Sequence, residues 1–193
     1  MVRTIAISAF ASVCLLAFTA SATTVLKVSV EQMTVASHTI VHGVVRNSRA
    51  ETIGDNPRHI QTVVDIDIRQ LVRGARGTRE ITLILPGGRV GDWAMHIPGM
   101  PSFTAGEEVV LFLEKTSKNW AICGLSQGKF TVVPDKDGTK VVQRNLDGMH
   151  MVGKQYRHTS VRRHGVSSAP QQTLTGLLTE VKHYLAKAAG SSK

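Results

Sequence analysis

The sequence offers few residues whose types and spacing could perform catalysis. A hydrolase needs a nucleophile beside a base, a pair of carboxylates, or an open metal site. The chain has no His-Glu-x-x-His motif. It has one Gly-x-Ser-x-Gly match, Gly124-Leu125-Ser126-Gln127-Gly128, but this spacing alone does not supply the base that a nucleophilic serine needs. Asp65 and Asp67 are two residues apart on a predicted strand, so they form either a carboxylate pair with a raised pKa or the solvated face of that strand. We therefore predict no catalytic residue and no cofactor. A metal-assisted hydrolase that uses scattered His and Asp residues is the enzymatic alternative.

One short tract has side chains that suit a metal ion. Met149-His150-Met151 combines thioethers with an imidazole, which are ligands that Cu(I) accepts. The other histidines are scattered, and His38 and His42 need not share a face because the chain changes from helix to strand between them. A periplasmic copper-binding module is a second alternative, but one short tract does not define a site, and we predict no metal-binding residue.

The charge of the chain indicates which partners it could attract. The formal net charge is +9, and an arginine-rich turn is predicted near residues 69–79. Such a surface could contact phosphates, but a nucleic-acid site also needs aromatic side chains between the basic ones. The chain has only five Phe, two Trp and two Tyr. Nucleic acid is therefore an unlikely partner, and we expect an unknown protein or an anionic envelope polymer. The turn contains Arg69, Arg73, Arg76 and Arg79.

The loop between residues 86 and 103 is the candidate binding surface. It carries large apolar side chains where turns are usually short and polar, and its glycines and prolines give it fixed corners. The alternative is that Trp93 and Phe103 close the open end of a barrel. The candidate residues are Pro86, Gly87, Gly88, Trp93, Met95, Pro98, Gly99, Met100, Pro101 and Phe103.

The hydrophobic pattern predicts strands on both sides of this loop. Residues 60–69 alternate between apolar and mostly polar, which is typical of a half-buried strand. Residues 109–113 are apolar on both faces, so we expect them in a central strand. Gly43 predicts a bulge in an earlier strand, and residues 47–57 read as a polar loop. Further strands are predicted at 81–85 and 120–125, and a β-hairpin at 129–133 and 140–143.

The two ends of the chain read differently from its centre. Residues 1–22 have the charged start, apolar run and Ala20-Ser21-Ala22 site of a signal peptide, so we expect a secreted or periplasmic protein that begins near Thr23. No later segment is apolar enough to cross a membrane. Cleavage leaves Cys123 alone, either as a buried thiol or in an intermolecular disulfide. The predicted units are a β-barrel domain at 23–143, a basic mobile linker at 144–172 and a C-terminal helix at 173–189.

We predict a mainly β fold, a small OB-like β-barrel of about five strands plus a hairpin, with short helices near both ends. A β-sandwich is the alternative.

A series of short motifs follows the predicted strands and turns: Val41-His42-Gly43-Val44-Val45, Pro86-Gly87-Gly88, Gly99-Met100-Pro101-Ser102-Phe103, Gly106-Glu107-Glu108-Val109-Val110-Leu111-Phe112-Leu113 and Gly124-Leu125-Ser126-Gln127-Gly128-Lys129-Phe130. Over roughly residues 25–145, this series resembles a group of secreted bacterial proteins of unknown function. The layout is also distantly similar to netrin-like and tissue metalloproteinase inhibitor domains, which implies an OB barrel with helices packed outside.

Overall fold

A computed structural model describes residues 23–117, 119–146, 149–152 and 172–190. This part of the chain contains eleven strands, two α-helices and one 3-10 helix. In chain order they are β1 (Thr23–Leu26), α1 (Val30–Ala36), β2 (Thr39–Thr52), β3 (Ile60–Arg73), β4 (Glu80–Pro86), β5 (Gly88–Val90), β6 (Trp93–Met95), β7 (Glu108–Lys115), β8 (Trp120–Ile122), the 3-10 helix (Leu125–Gly128), β9 (Lys129–Pro134), β10 (Lys140–Gln143), β11 (Met149–Val152) and α2 (Leu174–Gly190).

The main sheet is antiparallel and strongly curled. Its strands follow the order β10-β9-β7-β2-β3-β4. Strand β9 pairs with residues 108–111 of β7, and β8 pairs with residues 113–115 of the same strand. Cα atoms of β4 come within 8 Å of β8, but no bridge joins these two strands in the described residues. The predicted mainly β class, with a hairpin and a helix near each end, is confirmed, whereas the described sheet is not closed by hydrogen bonds.

Strands β2 and β3 form a long hairpin with several irregularities. The pairing continues from Asn47, opposite Asp65, to Thr52, opposite Ile60, so the prediction of a loop over 47–52 is wrong. The ladder shifts register between His42 and Gly43, at the predicted position, but the extra residue is Arg69 of β3 and not a residue of β2. A Cβ atom on Gly43 would lie 2.5 Å from the carbonyl oxygen of Asp67, so only glycine fits this close approach.

Two hydrophobic cores lie on opposite faces of β7. Val110 and Phe112 belong to the outer core, which lies under the helices. Val109, Leu111 and Leu113 belong to the inner core, which lies inside the curled sheet. All five side chains are fully buried, as expected for a central strand. The outer core is covered by α2, whose buried side chains are Leu174, Leu177, Leu178 and Val181.

The helix α1 begins with a capping box formed by Ser29 and Gln32, whose Ser-x-x-Gln spacing is visible in the sequence. The Gln32 amide donates to Ser29 Oγ at 3.1 Å, and the Ser29 amide donates to Gln32 Oε1 at 2.9 Å. This capping box satisfies two backbone donors that the first turn would otherwise leave unpaired. Near the other end of the chain, Lys187 of α2 pairs with Glu31 of α1 at 2.8 Å, which ties the two helices together.

The start of the described chain pairs with residues 149–152 in a separate two-stranded sheet. Strand β1 pairs in parallel with β11, Thr23 opposite Met149 and Leu26 opposite Val152. Four residues of the range predicted as a linker, including the Met149-His150-Met151 tract, therefore lie in a strand. The predicted signal peptide and residues 147–148 and 153–171 of the linker lie outside the described residues. Within the described ranges, no helix is both long enough and apolar enough to span a membrane.

Cys123 is buried in the outer core and is only 4% exposed. Burial, with a smaller contribution from the nearby Glu114 carboxylate, raises the pKa of its thiol to about 12. The side chain therefore has neither the exposure nor the thiolate character that an intermolecular disulfide requires.

We expect the Cys123 thiol of the folded protein to resist Ellman's reagent at pH 8. The reaction should be about 100-fold slower than after unfolding in urea, because the raised pKa leaves almost no thiolate and the core excludes the reagent. The measurement uses a Cys14→Ser chain, so that only one thiol reports. Equal rates in the folded and unfolded chains would show that Cys123 is accessible.

Candidate functional site

The loop from 86 to 103 begins at a tight glycine corner. Gly87 and Gly88 have φ angles of 97° and 139°, and a Cβ on Gly88 would lie 2.7 Å from Thr62 Oγ1. The Gly87 amide donates to the Ile60 carbonyl at 2.8 Å, and Thr62 Oγ1 donates to the Gly87 carbonyl at 2.7 Å. These contacts fix the start of the loop on β3, and the positive φ angles explain why both positions are glycine.

Beyond this corner the loop forms the β5–β6 hairpin. Its two-residue turn contains Gly91 at a φ of 55°, with Val90 opposite Trp93 across the turn. Trp93 remains 45% exposed, and the guanidinium carbon of Arg58 lies 5.4 Å from the centroid of its ring. An indole this exposed does not close the end of a barrel, so the structure does not support the Trp93 part of that alternative.

The second half of the loop is attached to the 3-10 helix. The Gly99 carbonyl accepts hydrogen bonds from the Ser126 amide at 3.1 Å and from Ser126 Oγ at 2.8 Å. Met100 and Phe103 are half-buried against the inner core. The loop is thus held at both ends, which leaves the β5–β6 hairpin as its most exposed part.

The ten predicted residues divide into three groups. Trp93 and Pro86 are exposed, and Gly87 and Gly99 are buried as backbone corners. The other six are half-buried: Gly88, Met95, Pro98, Met100, Pro101 and Phe103. Only two of the ten predicted residues are therefore exposed.

A polar cleft of about 220 Å³ opens beside the second half of the loop. Its walls come from four separate segments of the chain. In chain order, the lining residues are Met100, Pro101, Ser102 and Thr104 of the loop, Glu107 before β7, Ser126, Lys129 and Thr131 of the 3-10 helix and β9, and Asn145 after β10. Pairing of β7 with β9 and the Gly99–Ser126 hydrogen bonds bring these segments together.

A nearly buried ion pair lies in the cleft. Lys129 Nζ is 2.6 Å from Glu107 Oε1 and donates to the Ser102 carbonyl at 2.6 Å. Their side chains are only 10% and 16% exposed. Glu107 also accepts from Thr131 Oγ1 at 2.7 Å and from the Thr104 amide at 3.2 Å. Lys129 Nζ also lies 4.4 Å from the centroid of the Phe103 ring, so the cation is held on several sides.

Neither member of this pair was among the candidate site residues. The signal that could have found them is the pairing of a charged residue with a glycine in two motifs, Gly106-Glu107 and Gly128-Lys129. The sequence does not show that these motifs meet, because 22 residues separate the two charges.

No protein-family model, curated protein or solved structure matches this chain. The function therefore has to be inferred from the geometry of the site.

The 3-10 helix supports the cleft from behind and also holds the start of the described chain. Gln127 is fully buried, its Nε2 donates to the Leu26 carbonyl at 3.0 Å, and its Oε1 accepts from the Val28 amide at 2.8 Å. Leu125 has a φ of 59°, the one positive φ of a non-glycine residue in the described chain. A left-handed residue of this kind carries strain that its surroundings must hold in place.

The candidate catalytic and metal-binding residues do not converge. Asp65 bonds to Thr82 Oγ1 at 2.8 Å and to Arg49 at 2.9 Å. The Thr82 hydrogen bond, with help from Arg49, holds the pKa of Asp65 below its usual value despite some burial, which is opposite to a shared-proton carboxylate pair. His42 Nε2 lies 2.7 Å from Glu108 Oε1. Within the described ranges, no three His, Cys, Asp or Glu residues are grouped as metal ligands.

The arginine-rich turn is partly structural. Arg73 donates to the Thr34 carbonyl at 2.8 Å and thereby binds the end of α1. Arg69, Arg76 and Arg79 are exposed. Of the four arginines predicted for the turn, these three are exposed enough to attract an anion.

Proposed function

We propose that this protein is a secreted or periplasmic, non-enzymatic binding domain whose partner contacts the β5–β6 hairpin. The observation that carries the proposal is the exposed Trp93, presented beside Arg58 on a hairpin that a glycine corner fixes to β3. Trp and Arg are among the residue types most enriched in the dominant contacts of protein interfaces, and here they lie side by side.

The rigidity of the loop supports binding over a purely structural role. Hydrogen bonds from Gly87 to Ile60 and from Ser126 to Gly99 fix both ends of the loop. A preformed surface loses little conformational entropy when a partner binds, so more of the contact energy appears as affinity. The predicted signal peptide and the motifs shared with secreted bacterial proteins support a partner in the cell envelope.

We expect the partner at the hairpin to be a protein. An anionic envelope polymer is the alternative partner. The polymer would be attracted by the net charge of +9 and by the exposed arginines of the β3–β4 turn, away from the hairpin. The two partners can be distinguished by salt, because attraction to a polymer weakens steeply as ionic strength rises.

Trp93→Ala tests this proposal. The native chain and the variant are used to capture partners from a cell-envelope fraction, and the partner identified with the native chain is then purified and titrated. We expect the variant to bind at least about tenfold more weakly, because the indole supplies a central apolar contact. The unfolding temperature should change little, since the ring is half exposed in the free protein.

Arg89→Ala is the matched control, because Arg89 is exposed and pairs with Ala94, on the face of the hairpin opposite to Val90 and Trp93. It should bind the purified partner nearly as tightly as the native chain. Equal affinity of the Trp93→Ala and native chains, or a large loss of stability in Trp93→Ala, would overturn the hairpin as the contact surface.

A further inference from the structure

The polar cleft has the composition of a small-ligand site that the hairpin proposal does not use. It is lined by Met100, Pro101 and Ser102 on one side and by Ser126, Lys129 and Thr131 on the other. Its volume of about 220 Å³ is below the roughly 300–1,000 Å³ typical of pockets for drug-sized ligands. The space therefore suits a single ring or an equally small unit.

The charges in the cleft already neutralise one another. Lys129 and Glu107 form a close pair, and the Lys129 ammonium also donates to the Ser102 carbonyl. An anionic ligand would face Glu107, and a cationic ligand would face Lys129, so either would bring an uncompensated charge into a partly buried space. An uncharged ligand avoids this cost.

The cleft offers acceptors beside groups that can both donate and accept. Ser126 Oγ donates its proton to the Gly99 carbonyl, and Thr131 Oγ1 donates its proton to Glu107. Each hydroxyl oxygen then presents lone pairs, and Glu107 Oε2, which accepts a bond of 3.2 Å from the Thr104 amide, can accept another. Three more lining side chains carry donors as well as acceptors: Ser102, Thr104 and Asn145. A complementary ligand must therefore both donate and accept hydrogen bonds, as hydroxyl groups do.

We propose that this cleft binds one uncharged sugar ring through its hydroxyl groups. Sugar hydroxyls supply neutral donors for Ser126, Thr131 and Glu107, while the C–H face of the ring packs on Met100 and Pro101. Among small polar molecules, a pyranose combines a rim of donors with an apolar face and no net charge.

Three probes with one ring and different charges test the proposal: glucose, glucuronate and glucosamine. Each is titrated into the isotope-labelled chain, and amide chemical shifts are followed by NMR. We expect glucose to bind with a dissociation constant of about 1 mM and to shift the amides of Ser126, Lys129 and Thr131. Glucuronate and glucosamine should bind at least about tenfold more weakly.

Glu107→Gln changes the charge of the cleft with little change in its shape. Lys129 then lacks its counter-charge, so glucuronate should become the tightest of the three probes. Glu80→Gln is the control, because Glu80 is an exposed acid on β4 that pairs with Arg46, and it should leave the order of the probes unchanged. A merely structural role for Glu107 would alter stability without reversing this preference.

Two results would overturn the sugar site. One is the absence of shifts at the cleft with every probe up to about 10 mM in the native chain. The other is tighter binding of a charged probe than of glucose. Both come from the native chain, so they hold even if Glu107→Gln does not fold. The hairpin test uses a different residue and a purified macromolecular partner, so the two proposals can fail separately.

Discussion

Replacing Lys129 with alanine should lower the free energy of unfolding by about 3 kcal/mol. The substitution leaves the Glu107 carboxylate, only 16% exposed, without its cation. Removing one member of a nearly buried pair is costly because the remaining charge stays desolvated. Urea unfolding followed by circular dichroism measures the change, with the slope of the transition checked for two-state behaviour.

Lys187→Ala is the matched control for this prediction. Lys187 pairs with Glu31 at 2.8 Å, but the two side chains are 61% and 45% exposed. An exposed pair contributes little, so the loss should be below about 1 kcal/mol.

The double variant Lys129→Met, Glu107→Gln separates charge from packing. It removes both charges while keeping side chains of similar length, so it should recover much of the stability that Lys129→Ala loses. A double variant as unstable as Lys129→Ala would show that the contribution of Lys129 comes from its hydrogen bonds to backbone and not from the ion pair.

Ile66→Ala should destabilise the protein by about 2–5 kcal/mol, the range for truncating a large aliphatic side chain in a core. Ile66 is fully buried in the inner core, and it lies opposite Ile81 of β4 and Val45 of β2. Neighbours on two flanking strands limit how far the site can collapse around the cavity. Urea unfolding again provides the measurement.

Arg69→Ala, three residues further along β3, is the control. Arg69 is exposed, so the substitution should change the stability by no more than about 0.5 kcal/mol. Similar losses in the two variants would contradict the register of β3, because a slip of one residue exchanges the buried and exposed faces.

Local patterns predicted the elements that depend on neighbouring residues. The Ser29 capping box defines the start of α1, and the double apolar face of residues 109–113 places β7 at the centre of the sheet. The corner at Gly87 and Gly88 was also predictable, since a strand that ends in Pro-Gly-Gly needs positive φ. In each case the deciding interaction lies within a few residues.

Other features depend on contacts between distant residues, which local patterns do not contain. Residues 47–52 look like a polar loop, yet they pair with residues 60–65 of β3, and Arg49 and Asp65 form an ion pair across the two strands. Residues 120–125 were predicted as one strand, but the chain leaves β8 after Ile122 to form the 3-10 helix. The cleft was missed for the same reason, since only the β7–β9 pairing brings Glu107 to Lys129.

The parallel pair β1–β11 imposes an order on folding. Its first paired residues, Thr23 and Met149, are far apart in the chain. The hydrogen bonds of the Gln127 side chain to Leu26 and Val28 also join distant segments. During synthesis β1 emerges first, yet its pairing strand emerges after the whole main sheet. Closing such long loops is slow, because chain entropy must be lost before the contacts form. The start of the described chain is therefore among the last parts to be secured, and until then β1 presents unpaired backbone groups to the solvent.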